Sequence, residues 1–263
     1  MFNATYFTYG GIFSGEFGLQ IADFNEESVI ETDTFSPSLN TIKIGSGRRF
    51  AHNGVTYESH PTHEFSILSE RVIDDAVRRD ILSWLVGRRE YKTLVIHQSD
   101  LEQYWYKCVF TNIRNIYVGG HCHGFRITAN FDSPYQYGSP TTIEVGGAGA
   151  EQIVTITNKS DTLDEYTFPV VEITASTSLD SSILRIVNYT DDSNRVCSVS
   201  GLNPGEYIRM DGEMRHIISD TGKGRLGDFN KNWVRLLKGA NTIGITVHGV
   251  VKITCPQYAM LGF

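Results

Sequence analysis

Alternation of apolar and polar residues is the feature of this 263-residue chain that most restricts its fold. In His123-Gly-Phe125-Arg-Ile127-Thr-Ala129-Asn-Phe131, the residues Phe125, Ile127, Ala129 and Phe131 point one way. Arg126, Thr128 and Asn130 point the other way. Phe65 and Ile67 share one face in the same manner within Thr62-His-Glu-Phe65-Ser-Ile67-Leu68. A period of two is what a half-buried antiparallel strand requires, since successive side chains leave opposite faces of a sheet. Further strands are expected at 19–24, 39–44, 92–97, 104–111 and 113–118, so the first half reads as a sheet.

One segment departs from that period. Ile73, Ala76, Val77, Ile81, Trp84 and Leu85 recur at three- and four-residue spacing, which predicts a helix near residues 70–86 with a single apolar stripe. Ser69 is placed to cap its start, and Asp74, Asp75, Arg78 and Arg79 to form acid-before-base pairs at i,i+4. Gly87 can end the helix in the left-handed region, with Arg88 and Arg89 complementing its negative end. Ser133-Pro-Tyr-Gln-Tyr-Gly-Ser-Pro140 concentrates turn-formers and marks a boundary. Short strands are expected after it at 151–157, 168–174, 182–188, 195–199, 206–210, 213–218, 241–247 and 249–254, with Asp211-Gly212 as a hairpin turn. The expectation is a mostly β protein. An N-terminal α+β domain over 1–135, an antiparallel sheet with one helix, precedes a β-sandwich over 136–263.

Composition narrows the function. Apolar residues make up 40% of the chain, enough for a core. The net charge is −7, and the acid excess is shared by both halves without a basic stripe. Nucleic acid and anionic membranes are therefore not expected partners. No apolar run reaches the roughly 20 residues of a membrane span, and export by a cleaved leader is not expected. Cys108, Cys122, Cys197 and Cys255 lie far apart and are expected as free, buried thiols.

Candidate chemistry is sparse. His121-Cys122-His123 could offer two ligands to a metal, but no CxxC or HxxxH partner accompanies it, and Gly119-Gly120 before it suits a hairpin rim. Gly45-Ser-Gly47-Arg-Arg49 and Gly222-Lys-Gly224-Arg225 do not match GxxxxGK[ST] and lead into no helix, so they read as flexible loops. The G-x-S-x-G elbow is absent. Acidic residues are plentiful, but any β-sandwich can offer a glycosidase-type carboxylate pair by accident, and an enzyme is not expected. Tyr104-Trp105-Tyr106 and Asn232-Trp233 could form an aromatic platform or belong to the core. No residue is assigned a catalytic, cofactor-binding or metal-ligating role.

Several segments, in order, resemble the distal tail (Dit) proteins of siphophages. They are the opening Phe2-Asn-Ala-Thr-Tyr6-Phe-Thr-Tyr-Gly10 with Ser14-Gly-Glu-Phe17-Gly-Leu19, the helix end Ile81-Leu-Ser-Trp84-Leu85, Tyr91-Lys-Thr-Leu94-Val-Ile96 and Asp132-Ser-Pro-Tyr135. In the second half Ile153-Val-Thr-Ile-Thr-Asn158, Phe168-Pro-Val-Val-Glu-Ile173, Glu206-Tyr-Ile-Arg-Met-Asp211-Gly212 and Leu236-Leu-Lys-Gly-Ala-Asn241-Thr-Ile243 carry the resemblance. It implies a homo-hexameric ring at the virion tail tip, continuing the tail tube, with a galectin-like sandwich on the outside. The implied partners are other copies of the chain, the tail tube protein, the tail-tip hub protein and receptor-binding or side-fibre proteins. Synthesis would take place in the host bacterial cytoplasm. The His-x-Asn-x-Arg sugar signature of true galectins is missing, so sugar binding does not follow. The alternative is a carbohydrate-binding adhesin module that recognises the host cell surface.

Overall fold

The structure, a computed structural model, describes residues 5–22, 38–45, 49–56, 61–86, 89–99, 101–162, 166–176 and 183–260. The parts of the sequence expectations that fall on residues 2–4, Ser46 to Arg48, Gly87 and Arg88 lie outside these. The chain packs as two units, Met1–Tyr137 with Met260–Phe263, and Gly138–Ala259.

The first unit contains β1 (Phe7–Tyr9), β2 (Ile12–Phe13), β3 (Leu19–Ile21), β4 (Ser38–Ile44), β5 (Arg49–Thr56), β6 (Thr62–Ser69), α1 (Asp75–Val86), β7 (Lys92–Ile96), β8 (Tyr104–Val118) and β9 (His121–Phe131). Seven of these strands pair antiparallel in the order β2-β1-β7-β8-β9-β6-β3. Just before β1, Thr5 exchanges two backbone hydrogen bonds with Ile21 of β3, at 2.9 and 2.8 Å. The sheet thereby closes on itself, which leaves few free edges. The alternating residues face its interior: Phe65 lies opposite Ile127, and Ile67 opposite Phe125. Phe125, Ile127, Ala129 and Phe131 are all buried there.

Two expected strands, 104–111 and 113–118, are one. The register of β8 against β9 shifts between Thr111 and Arg114, where Asn112 adopts a φ of 52°. Asparagine tolerates that left-handed conformation, and the result is a bulge rather than a break. At the tip, Gly119 and Gly120 have φ of 58° and 85°. Two successive positive φ values are the type I′ turn of a two-residue hairpin, so glycine is required by the turn and not by a metal site.

The helix starts later than its periodicity implied. Asp74, not Ser69, caps it: Asp74 Oδ1 accepts the N–H groups of Ala76 and Val77 at 3.0 and 2.9 Å. Ser69 ends β6, and its Oγ accepts the Arg71 N–H at 3.1 Å. Ile73 lies in an extended approach, and its N–H donates to Cys122 O at 2.8 Å. The buried stripe is consequently Ile81, Trp84 and Leu85, while Ala76 and Val77 are exposed. Asp75 pairs with Arg78 at i,i+3, at 2.9 Å, in place of the expected i,i+4 partner Arg79. Trp84 explains the aromatic opening. Its indole N–H donates to Tyr9 O at 2.9 Å, and its ring stacks on Phe7 and Phe17 at 5.7 and 5.2 Å.

β10 (Tyr135–Ala148) occupies the stretch read as a boundary, and the division of the chain falls within it. The second unit adds β11 (Gln152–Asn158), β12 (Val170–Ala175), β13 (Leu184–Asn188), β14 (Val196–Val199), β15 (Tyr207–Asp211), β16 (His216–Ser219), β17 (Gly239–Thr246) and β18 (His248–Met260). One sheet runs β16-β15-β12-β18-β10 and the other β11-β17-β13-β14. Val171, Ile173, Ile208 and Val251 of the first meet Ile156, Ile186, Ile243 and Ile245 of the second in one core. This is a β-sandwich. The Asp211-Gly212 hairpin forms with a longer loop: Asp211 lies opposite His216, and Arg215 rather than Gly212 has a positive φ, 54°. All four cysteines are free and buried.

Candidate functional site

Most of the groups that drew notice in the sequence are engaged by neighbours or packed in a core. Cys122 is buried between an exposed His121 and a half-buried His123, whose Nδ1 lies 3.4 Å from Ser69 O. Among the described residues, no group of three or more His, Cys, Asp or Glu could hold a metal. Tyr106 is buried and donates to Gln136 Oε1 at 2.9 Å, whereas Trp105 is half-buried and stacks on Tyr137 at 6.4 Å. Trp233 packs edge-on against Phe229 at 4.8 Å. The strand alternation thus splits the aromatic triplet between core and surface.

The Gly222–Arg225 segment holds what the sequence reading missed. Arg225 is 1% exposed and reaches a fully enclosed Glu206. Its Nε donates to Glu206 Oε1 at 2.8 Å, and its two terminal nitrogens donate to Glu206 Oε2, to Gly201 O at 2.8 Å and to Asp228 Oδ2 at 2.7 Å. Ser219 Oγ donates to Glu206 at 2.5 Å, and the Asn203 N–H at 2.8 Å. Burial alone would raise the Glu206 pKa, but these donors outweigh it and hold the carboxyl at about 2. The cluster pins a long connection to the sandwich. Its only sequence signal is an Arg following two glycines, which does not distinguish a buried anchor from an exposed loop.

A second pair is built the same way. Arg235 makes two bonds to Asp191, at 2.6 and 3.1 Å, and lies over the Tyr166 ring at 3.9 Å. The hydrogen bond from Arg235 is the main force holding the Asp191 carboxyl below its ordinary range. The shallow cleft beside it, lined by Asn188, Arg195 and Trp233, has room for about one water molecule. These networks are satisfied and position loops.

Apolar surface is what lacks a partner within the first unit. β4 and β5 pair with each other and with no other described strand. Ile42 and Ile44 project from one face of this hairpin. Phe50, opposite Lys43, projects from the other and is 66% exposed. A second exposed patch joins the start of α1 to the β8–β9 tip. Val77 and Tyr117 are exposed there, with the Arg78 guanidinium donating to Tyr117 Oη at 3.2 Å, and Val118 is exposed on the opposite face of the tip. Such surfaces on a folded unit mark interaction sites.

The family described as phage tail protein N-terminal domain matches residues 2–133, and that described as phage tail C-terminal domain matches residues 135–255. The chain belongs to this family of phage tail proteins. Among solved structures it is similar to the Dit protein of phage SPP1, described as a paradigm of the hub adsorption apparatus in phages infecting Gram-positive bacteria. That match covers 97% of this chain and 99% of the other at 14% identity, with a TM-score of 0.69. A chain of the phage P2 baseplate in its activated conformation with Ca is similar over 97% of this chain and 98% of that one, at 9% identity and a TM-score of 0.52. At these identities the likeness is one of fold. No curated protein sequence matches the chain. The resemblance to Dit proteins and the two-part, mostly β architecture are borne out.

Proposed function

We propose that this protein is a structural component of a siphophage tail tip, a homo-hexameric ring that joins the tail tube to the tail-tip hub. In this reading residues 1–135 form the ring, and the sandwich over 136–263 carries receptor-binding or side-fibre proteins on its outside. The observation that carries it is the end-to-end likeness to a Dit protein of a hub adsorption apparatus, spanning 97% of the chain. The mechanism is geometric. One heterologous interface repeated about a closing rotation gives a ring, and the same interface without closure gives a filament. A ring protomer needs two different complementary surfaces, and the first unit exposes two separate apolar patches. Made in the host cytoplasm, such a protein keeps its thiols reduced, and burial itself pushes the Cys197 and Cys255 thiols up to about 12.

The test is the native mass of the purified full chain by light scattering on a sizing column. Six protomers of 29.5 kDa give about 177 kDa, and that mass is the expected result. A single-protomer mass at every concentration removes the ring.

A further inference from the structure

We infer that the free edge of β11 pairs antiparallel with the same edge of a second copy of this chain, joining two sandwiches through one continuous sheet. The contact lies in the second unit and does not rest on the ring reading.

The sheet β11-β17-β13-β14 has two edges, and they are built differently. At β14 the edge is closed by side chains. Asn230 Oδ1 accepts the Ser198 N–H at 3.1 Å, and the amides of Asn230 and Asn232 donate to Val196 O at 2.7 and 3.1 Å. Val199 is bridged to Phe229. Among the described residues, β11 pairs with β17 alone. Its residues Gln152-Ile-Val-Thr-Ile-Thr-Asn158 include no charge and no proline, the usual devices that blunt an edge. The free edge strand of the other sheet, β16, is only four residues long.

Register shows which backbone groups of β11 are free. Thr242 of β17 turns its polar groups toward the β13 side. Its carbonyl accepts the Tyr189 N–H and its own N–H donates to Thr190 Oγ1, both at 2.9 Å. Thr155, opposite Thr242, therefore points its N–H and C=O away from β17. Ile153 and Thr157, two residues to either side, do the same. Three donors and three acceptors thus line one edge, beside an Ile153 side chain that is 57% exposed. Groups spaced in this way are met by another strand.

The edge is complementary to itself. With Thr155 opposite Thr155 of a second copy, Ile153 meets Thr157 and each free group finds its counterpart. The same register sets Glu151 opposite Lys159 at both ends of the pair, and both residues are exposed. Glu151 also accepts the Tyr189 hydroxyl at 2.7 Å. Antiparallel pairing brings opposite charges together, whereas parallel in-register addition would set like against like. The contact is two-fold, so it joins copies that the rotation of a ring does not make neighbours. One strand pair covers little area, so two lone copies associate weakly.

The experiment traps this contact in the full chain with a disulfide. The four native cysteines are buried, so Thr155→Cys adds the accessible thiol. Directly opposed residues of a hydrogen-bonded pair have Cα atoms about 5.5 Å apart, within disulfide reach. With oxidised glutathione, Thr155→Cys should give a two-chain band on a non-reducing gel. Thr174→Cys, exposed on the other sheet, should remain a single chain. Adding Lys159→Glu to Thr155→Cys should abolish the band, and adding Glu151→Lys as well should restore it. Thermal unfolding followed by circular dichroism checks that each variant folds. Equal crosslinking of the Thr155→Cys and Thr174→Cys chains overturns the inference and leaves the edge to a strand of a different protein. A band that survives Lys159→Glu, or does not return with Glu151→Lys, overturns the register and the inference with it. Native mass reads the ring separately, so either reading can fail while the other stands.

Discussion

Arg225 is long, charged and enclosed, a combination that survives in a protein interior only when every donor is met. Glu206 and Asp228 supply the opposite charges and Gly201 O a further acceptor, while Ser219 donates to Glu206. The pair is less a source of net stability than a penalty held in check, so removing one partner costs more than the pair contributes. Glu206→Gln should destabilise the full chain by about 3–5 kcal/mol in urea unfolding. The pH dependence has a definite sign. The Glu206 carboxyl titrates at about 2 in the folded protein against a reference of 4.5. Its contribution, about 3 kcal/mol at most, is complete above pH 4.5 and is lost as pH falls toward 2. Wild type should therefore lose more stability between pH 4.5 and 2 than Glu206→Gln does. Equal losses would show that Glu206 is not held as the geometry implies.

At the scale of elements, α1 shows how a correct period can carry a wrong boundary. Asp74 takes two helical N–H groups, whereas Ser69 takes one N–H in the approach to the helix. Asp74→Ala should cost about 1 kcal/mol, and Ser69→Ala clearly less. Thermal unfolding of the two variants separates them, and the reverse order would return the cap to Ser69. Strand alternation was legible because each half-buried strand states its own period, as in Phe125 to Phe131. Closure of the first sheet was not, because it hangs on one bridge between Thr5 and Ile21, which alternation does not encode. β10 was hidden by the glycine and prolines that punctuate Ser133 to Pro140, although Tyr135, Tyr137 and Ile143 suit a strand. The surface patches escaped notice for a different reason. Ile42 and Ile44 fall within the expected strand 39–44 and Phe50 within no expected strand, and only the pairing shows that no third described strand joins β4 and β5.

Across the whole molecule the two cores are assembled from separate residue sets. One gathers Phe7, Tyr9, Trp84, Leu94 and Phe125, and the other Ile173, Ile186, Ile208, Ile245 and Val251. No buried residue belongs to both. A cavity made in one core therefore removes contacts from that core alone, and local opening should follow the same division. Trp84→Ala deletes the indole that Phe7, Phe17 and the Tyr9 carbonyl surround. Deletions of this size cost about 3–5 kcal/mol. Hydrogen exchange of the full chain should then speed up in β1, β3 and α1, while the amides of β13 and β17 keep their wild-type protection. Acceleration shared equally by both sets would mean that the two units open as one.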